Sequence, residues 1–261
     1  MSRLLGFVCL LVLLPLSRGF GADLTADQVR EMLAVAPPNR PADLSGKSLE
    51  GLDLSGVDFK RASLARTNLF GAKLVGANLT GANLSGAKLD LSWIMRANFS
   101  DADLSGASLQ GLVVSYGLEI TPADAPIFTG ANFADARILA RFSQFDLRGA
   151  NFARAQMGAD MKNQSMGLMR TDLSSAKLAR TNFAGADLSR ALLRFADLTE
   201  ANLAGAELFG ADLSGADLTG TDLTGADAGE ADFTGAVLKD ARGLETIKGE
   251  RIMGLERAGA R

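Results

Sequence analysis

The 261 residues are enough for one or two ordinary domains, yet they include one Trp, one Tyr and no His beside 29 Gly. This composition excludes a core built on Trp and Tyr and every site built on imidazole. The balance of 27 bases against 30 acids excludes a polybasic nucleic-acid binder.

The N-terminus reads as a separate object. Met1-Ser2-Arg3 is a short basic start, and Leu4 to Leu16 is an apolar run broken by Gly6 and ended near Pro15. Small residues follow at Ser17, Gly19, Gly21 and Ala22. This is the layout of a Sec-type secretory signal peptide over residues 1–22, which predicts a periplasmic or secreted protein. The run is shorter than the ~20 apolar residues that span a bilayer, so no transmembrane segment is expected after cleavage. Cleavage also removes the single cysteine, Cys9, which no lipobox-like run surrounds. The exported chain then has no thiol for a disulfide or a metal, and 25 bases against 30 acids.

Residues 23–42 predict an N-terminal helical cap and linker. Thr25-Ala26-Asp27-Gln28 is a capping-box sequence, and Val29, Met32, Leu33 and Ala36 recur at helical spacing. Pro37-Pro38 then stops the helix.

From Leu44 a large apolar residue returns at every fifth position, through Leu49, Leu54, Phe59 and on to Val114. The same step resumes from Leu173 to Leu223, weakens at Ala228, and returns at Phe233 and Leu238. Ala usually stands two positions earlier, as in Ala77-Asn78-Leu79-Thr80-Gly81. A helix scatters residues at this spacing around its barrel, and a flat strand sends them to opposite faces. Only a backbone that turns once per repeat aims every Leu, and the Ala two before it, at one axis. Asn/Asp, Ser/Thr and Gly are left for outward and corner positions.

The tandem A-(N/D)-L-x-x pattern resembles the pentapeptide-repeat family, over residues 43–242. The resemblance implies an all-β solenoid: a right-handed quadrilateral β-helix with four repeats per coil. At a rise of about 4.8 Å per coil, about nine or ten coils give a rod on the order of 45 Å long. Its open ends expose strand edges, so a C-terminal cap or tail is expected over 243–261, with Leu244, Ile247, Ile252 and Leu255 facing the last coil.

Three places break the repeat. No phase passes through residues 115–127, a predicted loop at a coil corner that holds Tyr116. The step is four between Ile138 and Phe142. A third disturbance holds Met157, Met161 and Met166, which read as gap-fillers.

The candidate interaction surface has two parts. Trp93 and Met95 flank the inward Ile94, so both are expected to face out, and Val113 falls in the column of Trp93. The competing expectation is that the 115–127 loop folds back over Trp93. The second part is acidic. Residues 196–238 hold nine acids and no base, including Glu207, Asp212, Asp217, Asp227 and Asp232, whereas residues 44–114 mix seven bases with six acids. A solvated surface that keeps the rod soluble is the plainer reading of those acids.

Without His or an exported Cys, no Ser-His-Asp or Cys-His nucleophile and no usual transition-metal site can be assembled. No phosphate loop joins a strand to a helix, and the GGxGxD calcium pattern is missing. No catalytic, cofactor-binding or metal residue is therefore assigned, and no enzyme is expected. The reading is an exported, non-catalytic scaffold or protein-protein interaction module with an unidentified protein partner, no direct nucleic-acid binding and a homodimer as a fair expectation. The family resemblance adds two alternatives: a DNA-mimicking protein that binds the topoisomerase DNA gyrase, and a secreted effector.

Overall fold

The computed structural model describes residues 21–37, 39–115, 117, 121, 123–159 and 169–255. The expected signal segment up to Phe20, Tyr116, the methionines Met161 and Met166, and the end of the C-terminal tail lie outside them.

Every fifth residue of the repeat forms a parallel bridge to the coil above. Asp43 pairs with Ser63, Ser48 with Asn68, Asp53 with Lys73 and Asp58 with Asn78, and the series continues from each partner. Four ladders therefore run along a β-solenoid; each is named here by its first residue. Among the described residues, only at Ser108–Gln110 (β1) and Arg137–Leu139 (β2) does the pairing lengthen into short parallel strands.

The repeat encodes its own turn. The inward residue's carbonyl accepts from the N–H three residues on, as in Lys47 N to Leu44 O at 3.2 Å. The third turn residue has positive φ (Gly46 +67°, Gly51 +67°), the sign pattern of a type II turn that Gly adopts at least cost. The Asn or Asp before the inward residue caps this turn with its side chain, as in Ser45 N to Asp43 Oδ1 at 2.9 Å and Ser85 N to Asn83 Oδ1 at 3.0 Å. The inward Leu and Ala are buried as expected. Where Thr or Ser replaces that Ala, its hydroxyl donates to a carbonyl of the coil below, as from Ser92 to Leu69 O at 2.7 Å.

Each break in the repeat is resolved locally. Trp93 pairs with Val113 but Asn98 with Ile127, so nine extra residues leave the coil as the predicted loop. Asn132 pairs with Asn151, so the four-residue step shortens one coil by a single residue. Arg141 pairs with Asp172, which places eleven extra residues after Met157. Around these irregular coils the core changes from Leu to Phe. Phe133 stacks on Phe152 at 4.6 Å, Phe152 on Phe183 at 5.0 Å, and Phe145 takes the place of an inward Ala. Planar rings fill spaces that the regular leucine stack does not.

At the start, the helix Ala26–Val35 (α1) has the capping box read from the sequence and buries Val29 in the same apolar cluster as the first coils. At the far end the ladders do not stop at Arg242. They reach Lys248 and Met253, because a 3-10 turn at Leu244–Thr246 absorbs one extra residue. In these final rungs Gly243, Gly249 and Gly254 follow the bridge residue where Leu stands elsewhere. A Cβ on Gly243 would lie 2.4 Å from the backbone of Thr224. Ile247 and Ile252 take the place of Ala and pack against the core. Large and small have exchanged positions.

Candidate interaction surface

The solenoid fixes which side each outward residue occupies. Trp93 and Val113 are consecutive rungs of the Asp53 ladder, both partly exposed, as the sequence predicts. Lys73, one rung below, places Nζ 5.9 Å from the Trp93 ring and 3.9 Å from Asp53.

Met95 is a correction. It is fully buried, not outward. It starts the corner beside the inserted loop, and Arg96 N donates to Asp124 O of that loop at 2.9 Å. The described return segment of the loop thus runs beside the Met95 corner. Neighbour parity alone placed Met95 outside, at a corner that a segment some thirty residues later joins through this hydrogen bond.

Four of the five candidate acids serve the turns. Asp212, Asp217, Asp227 and Asp232 each accept from the N–H two residues on, at 3.1, 2.9, 3.2 and 2.8 Å. Asp212 also pairs with Arg194. Burial raises its carboxyl, but hydrogen bonds from Ser214 and Arg194 outweigh that and hold it below the ordinary range. Arg242 pairs with Asp222 at 3.7 Å, and Arg251 with Glu230. Bases just outside the acidic stretch therefore lean over it. Glu207 is exposed between Asp187 and Asp227 in the Ser48 ladder. Among the described residues no group of three or more His, Cys, Asp or Glu could hold a metal ion.

Sequence reasoning missed an apolar edge. Phe70, Leu91, Met169 and Phe209 are 41%, 48%, 53% and 38% exposed, and all lie at the corner between the Ser48 and Asp53 ladders. Phe195, at the other edge of the Asp53 ladder, is 69% exposed. Leu192 is a rung of that ladder itself. For Phe70, Leu91, Phe195 and Phe209 the signal was available, since they sit one or two places after an inward residue, and Leu192 sits in the bridge position; Met169 follows the third disturbance of the repeat. The opposite Asp43 ladder carries none of the exposed large apolar residues. There Asn132, Asn151, Asn182 and Asn202 pass side-chain hydrogen bonds from coil to coil at 2.9–3.2 Å, starting from Asp103.

The model of pentapeptide repeats matches in eight copies over 42–76, 62–111, 168–205, 186–225 and 201–240, more than half of the chain. The chain belongs to the pentapeptide repeat family. The pentapeptide repeat protein HetL, involved in heterocyst differentiation regulation in the cyanobacterium Nostoc sp. strain PCC 7120, is 25% identical. The match covers 85% of this chain and 95% of that one, with a TM-score of 0.43. A pentapeptide repeat protein from the Arabidopsis thaliana thylakoid lumen is 29% identical, covering 44% of this chain and 65% of that one, with a TM-score of 0.26. QnrB1, a plasmid-mediated fluoroquinolone resistance protein, is 19% identical, covering 83% and 93%, with a TM-score of 0.40. No curated protein matches the chain.

Proposed function

We propose that this pentapeptide repeat protein is an exported, non-catalytic scaffold that binds protein through the Asp53 side of a right-handed, four-sided rod. The observation that carries the reading is the two-sidedness of the solenoid. One side is closed by a polar side-chain ladder, and the opposite one presents Trp93, Val113 and Leu192 between apolar edges. Helix α1 caps the first coil, and the Gly-for-Leu exchange lets the last coil close over the core. Export rests on the layout of Met1 to Ala22, and no helix among the described residues is long and apolar enough to cross a membrane.

Cell fractionation with N-terminal sequencing tests export: the expected product starts near Asp23 in the periplasm or medium, and an intact Met1 in the cytosol overturns it. Affinity capture with the Asp53 side intact and with Trp93→Asp tests the surface; equal capture by both overturns it. A supercoiling assay separates the gyrase-binding alternative, for which inhibition or protection of the enzyme is the deciding result.

A further inference from the structure

The asparagine ladder of the Asp43 side begins at Asp103, and the rungs below it lie among bases. The chain runs Lys60-Arg61, then the rung Ser63, then Arg66, so these bases stand at the two corners that edge this side. The hydrogen bonds from Ser45 that hold the Asp43 carboxyl low are reinforced by the charges of Arg40 and Lys47, which places both beside the first rung. Arg40, Lys47, Lys60, Arg61 and Arg66 are all exposed, and none is in an ion pair with a described residue. Further along the rod, Arg148, Arg154, Arg194, Arg242 and Arg251 each engage a carboxylate.

Arg61 and Arg66 have left-handed backbone, φ +61° and +56°, where a side chain costs stability that Gly does not. No ion pair within the described coils offsets that cost. Their stems lie over Gly81 and Gly86, with Cγ 3.7 and 3.4 Å from where a Cβ would stand, so each glycine leaves room for the arginine below it. The polar groups between the two arginines are already occupied. Ser63 Oγ shares a hydrogen bond with Ser45 Oγ at 2.6 Å, and Asn83 Oδ1 accepts from Ser85 N and Oγ at 3.0 and 2.7 Å. Asp43 and Asp58 accept from the N–H of Ser45 and of Lys60 at 2.9 and 3.1 Å, and Asp58 also accepts from Asn78 at 2.9 Å. The solenoid uses the acids and amides here and leaves the cations unused.

We propose that Arg40, Lys47, Lys60, Arg61 and Arg66 form a docking surface for an anionic phospholipid bilayer. The reading goes beyond the protein-binding one, because it uses the opposite side of the rod and leaves the Asp53 side free. A sheet face with cations at both edges and no exposed large apolar residue lacks the anchors of a protein interface, and matches a plane of fixed negative charge. Guanidinium forks suit headgroup phosphates. The charge of the rod is also polar lengthwise. Residues 196–238 hold nine acids and no base, so an anionic surface repels that end and attracts the first coils. The rod therefore docks by its N-terminal coils and carries its acidic end away from the bilayer. Asp43 and Asp58 offset two of the five positive charges, so the attraction is modest and falls with salt.

Vesicle flotation is the test, with circular dichroism to confirm folding. At low salt the chain from Asp23 is expected to float with vesicles of equal phosphatidylglycerol and phosphatidylcholine, and not with phosphatidylcholine alone. High salt should release it. Arg61→Glu with Arg66→Glu should lower partitioning roughly tenfold or more, and Arg61→Lys with Arg66→Lys should keep most of it. Arg180→Glu with Lys239→Glu makes the same change of net charge at exposed bases of the far half. It should leave partitioning within about twofold, because those bases stand beyond a Debye length from the docked coils. The full chain is a second arm: binding through Leu4 to Leu16 is shared by both kinds of vesicle, so the difference between them still reads the patch. Equal flotation on neutral and anionic vesicles, or equal loss from the near and far reversals, overturns the proposal. So does a chain that ignores vesicles but binds polyglutamate or inorganic phosphate through Arg61 and Arg66, since the patch then serves an acidic protein segment or a soluble anion. Capture of a protein through the Asp53 side is expected to survive every one of these variants, so the two readings fail separately.

Discussion

The Asp43 and Asp53 ladders occupy equivalent positions of the same repeat, half a coil apart, and use them differently. In the Asp43 ladder all but Ser63 and Arg242 are Asn or Asp, and these cap the turn that follows. In the Asp53 ladder only Asp53, Asp172, Asp212 and Asp232 do so. Lys73, Trp93, Val113, Arg141, Leu192 and Met253 have no acceptor to offer a turn. The difference teaches that the coil tolerates almost any residue in the bridge position. The turn and the inward Leu hold the fold, and a cap adds to it. A side that gives up its caps for apolar and alternating charged residues is free to serve something outside its own coil.

The core common to both sides sets the scale against which the comparison can be broken. Phe133→Ala removes a fully buried ring from the central stack and should cost about 3–5 kcal/mol in urea unfolding. Asn151→Ala comes next. It deletes a turn cap at 3.2 Å and two ladder bonds at 2.9 Å, to Asn132 and from Asn182, for about 2 kcal/mol. Asn151→Asp keeps the cap but loses the amide donor, so its cost should be smaller than that of Asn151→Ala. On the other side Val113→Ser should change stability by about 0.5 kcal/mol or less while weakening capture of a protein partner. If Asn151→Ala and Val113→Ser destabilise equally, the two ladders do not differ in what they do for the fold.

Acid should affect both sides, in small steps. Hydrogen bonds from Ser45 hold Asp43 below the ordinary carboxylate range, and those from Ser55 do the same for Asp53. Thr224 likewise lowers Asp222, and hydrogen bonding to Arg148 and Arg154 lowers Asp146 and Asp135. A folded-state pKa below the unfolded one means stability that is complete above the unfolded value, about 3.9, and is lost as pH falls through the folded value. Thermal midpoints should therefore be level from about pH 5 to 8, since the chain has no His, and fall below about pH 4. A transition near pH 6 would contradict this.

The five-residue spacing of Leu44 to Val114 and Leu173 to Leu223 was enough by itself to determine the inward face, the turn in every repeat and where the repeat is interrupted, and Thr25 with Gln28 was enough to determine the capping box. These features are local, or repeat at a fixed interval, so one period read along the chain is one period of the fold. Met95 was misplaced at a corner that the Asp124 segment joins through Arg96, and that segment lies outside the period. That the ladders run on to Lys248 and Met253, with Gly243 and Gly249 against the backbone of Thr224 and Gly229, is likewise outside the period. The asparagine ladder and the charge order of the Asp53 side were also beyond the sequence. Asn132 meets Asn151, and Arg141 meets Asp172, only once the extra and missing residues are assigned to particular coils. Registration between coils is a matter of backbone pairing across tens of residues, and only the tertiary structure decides it.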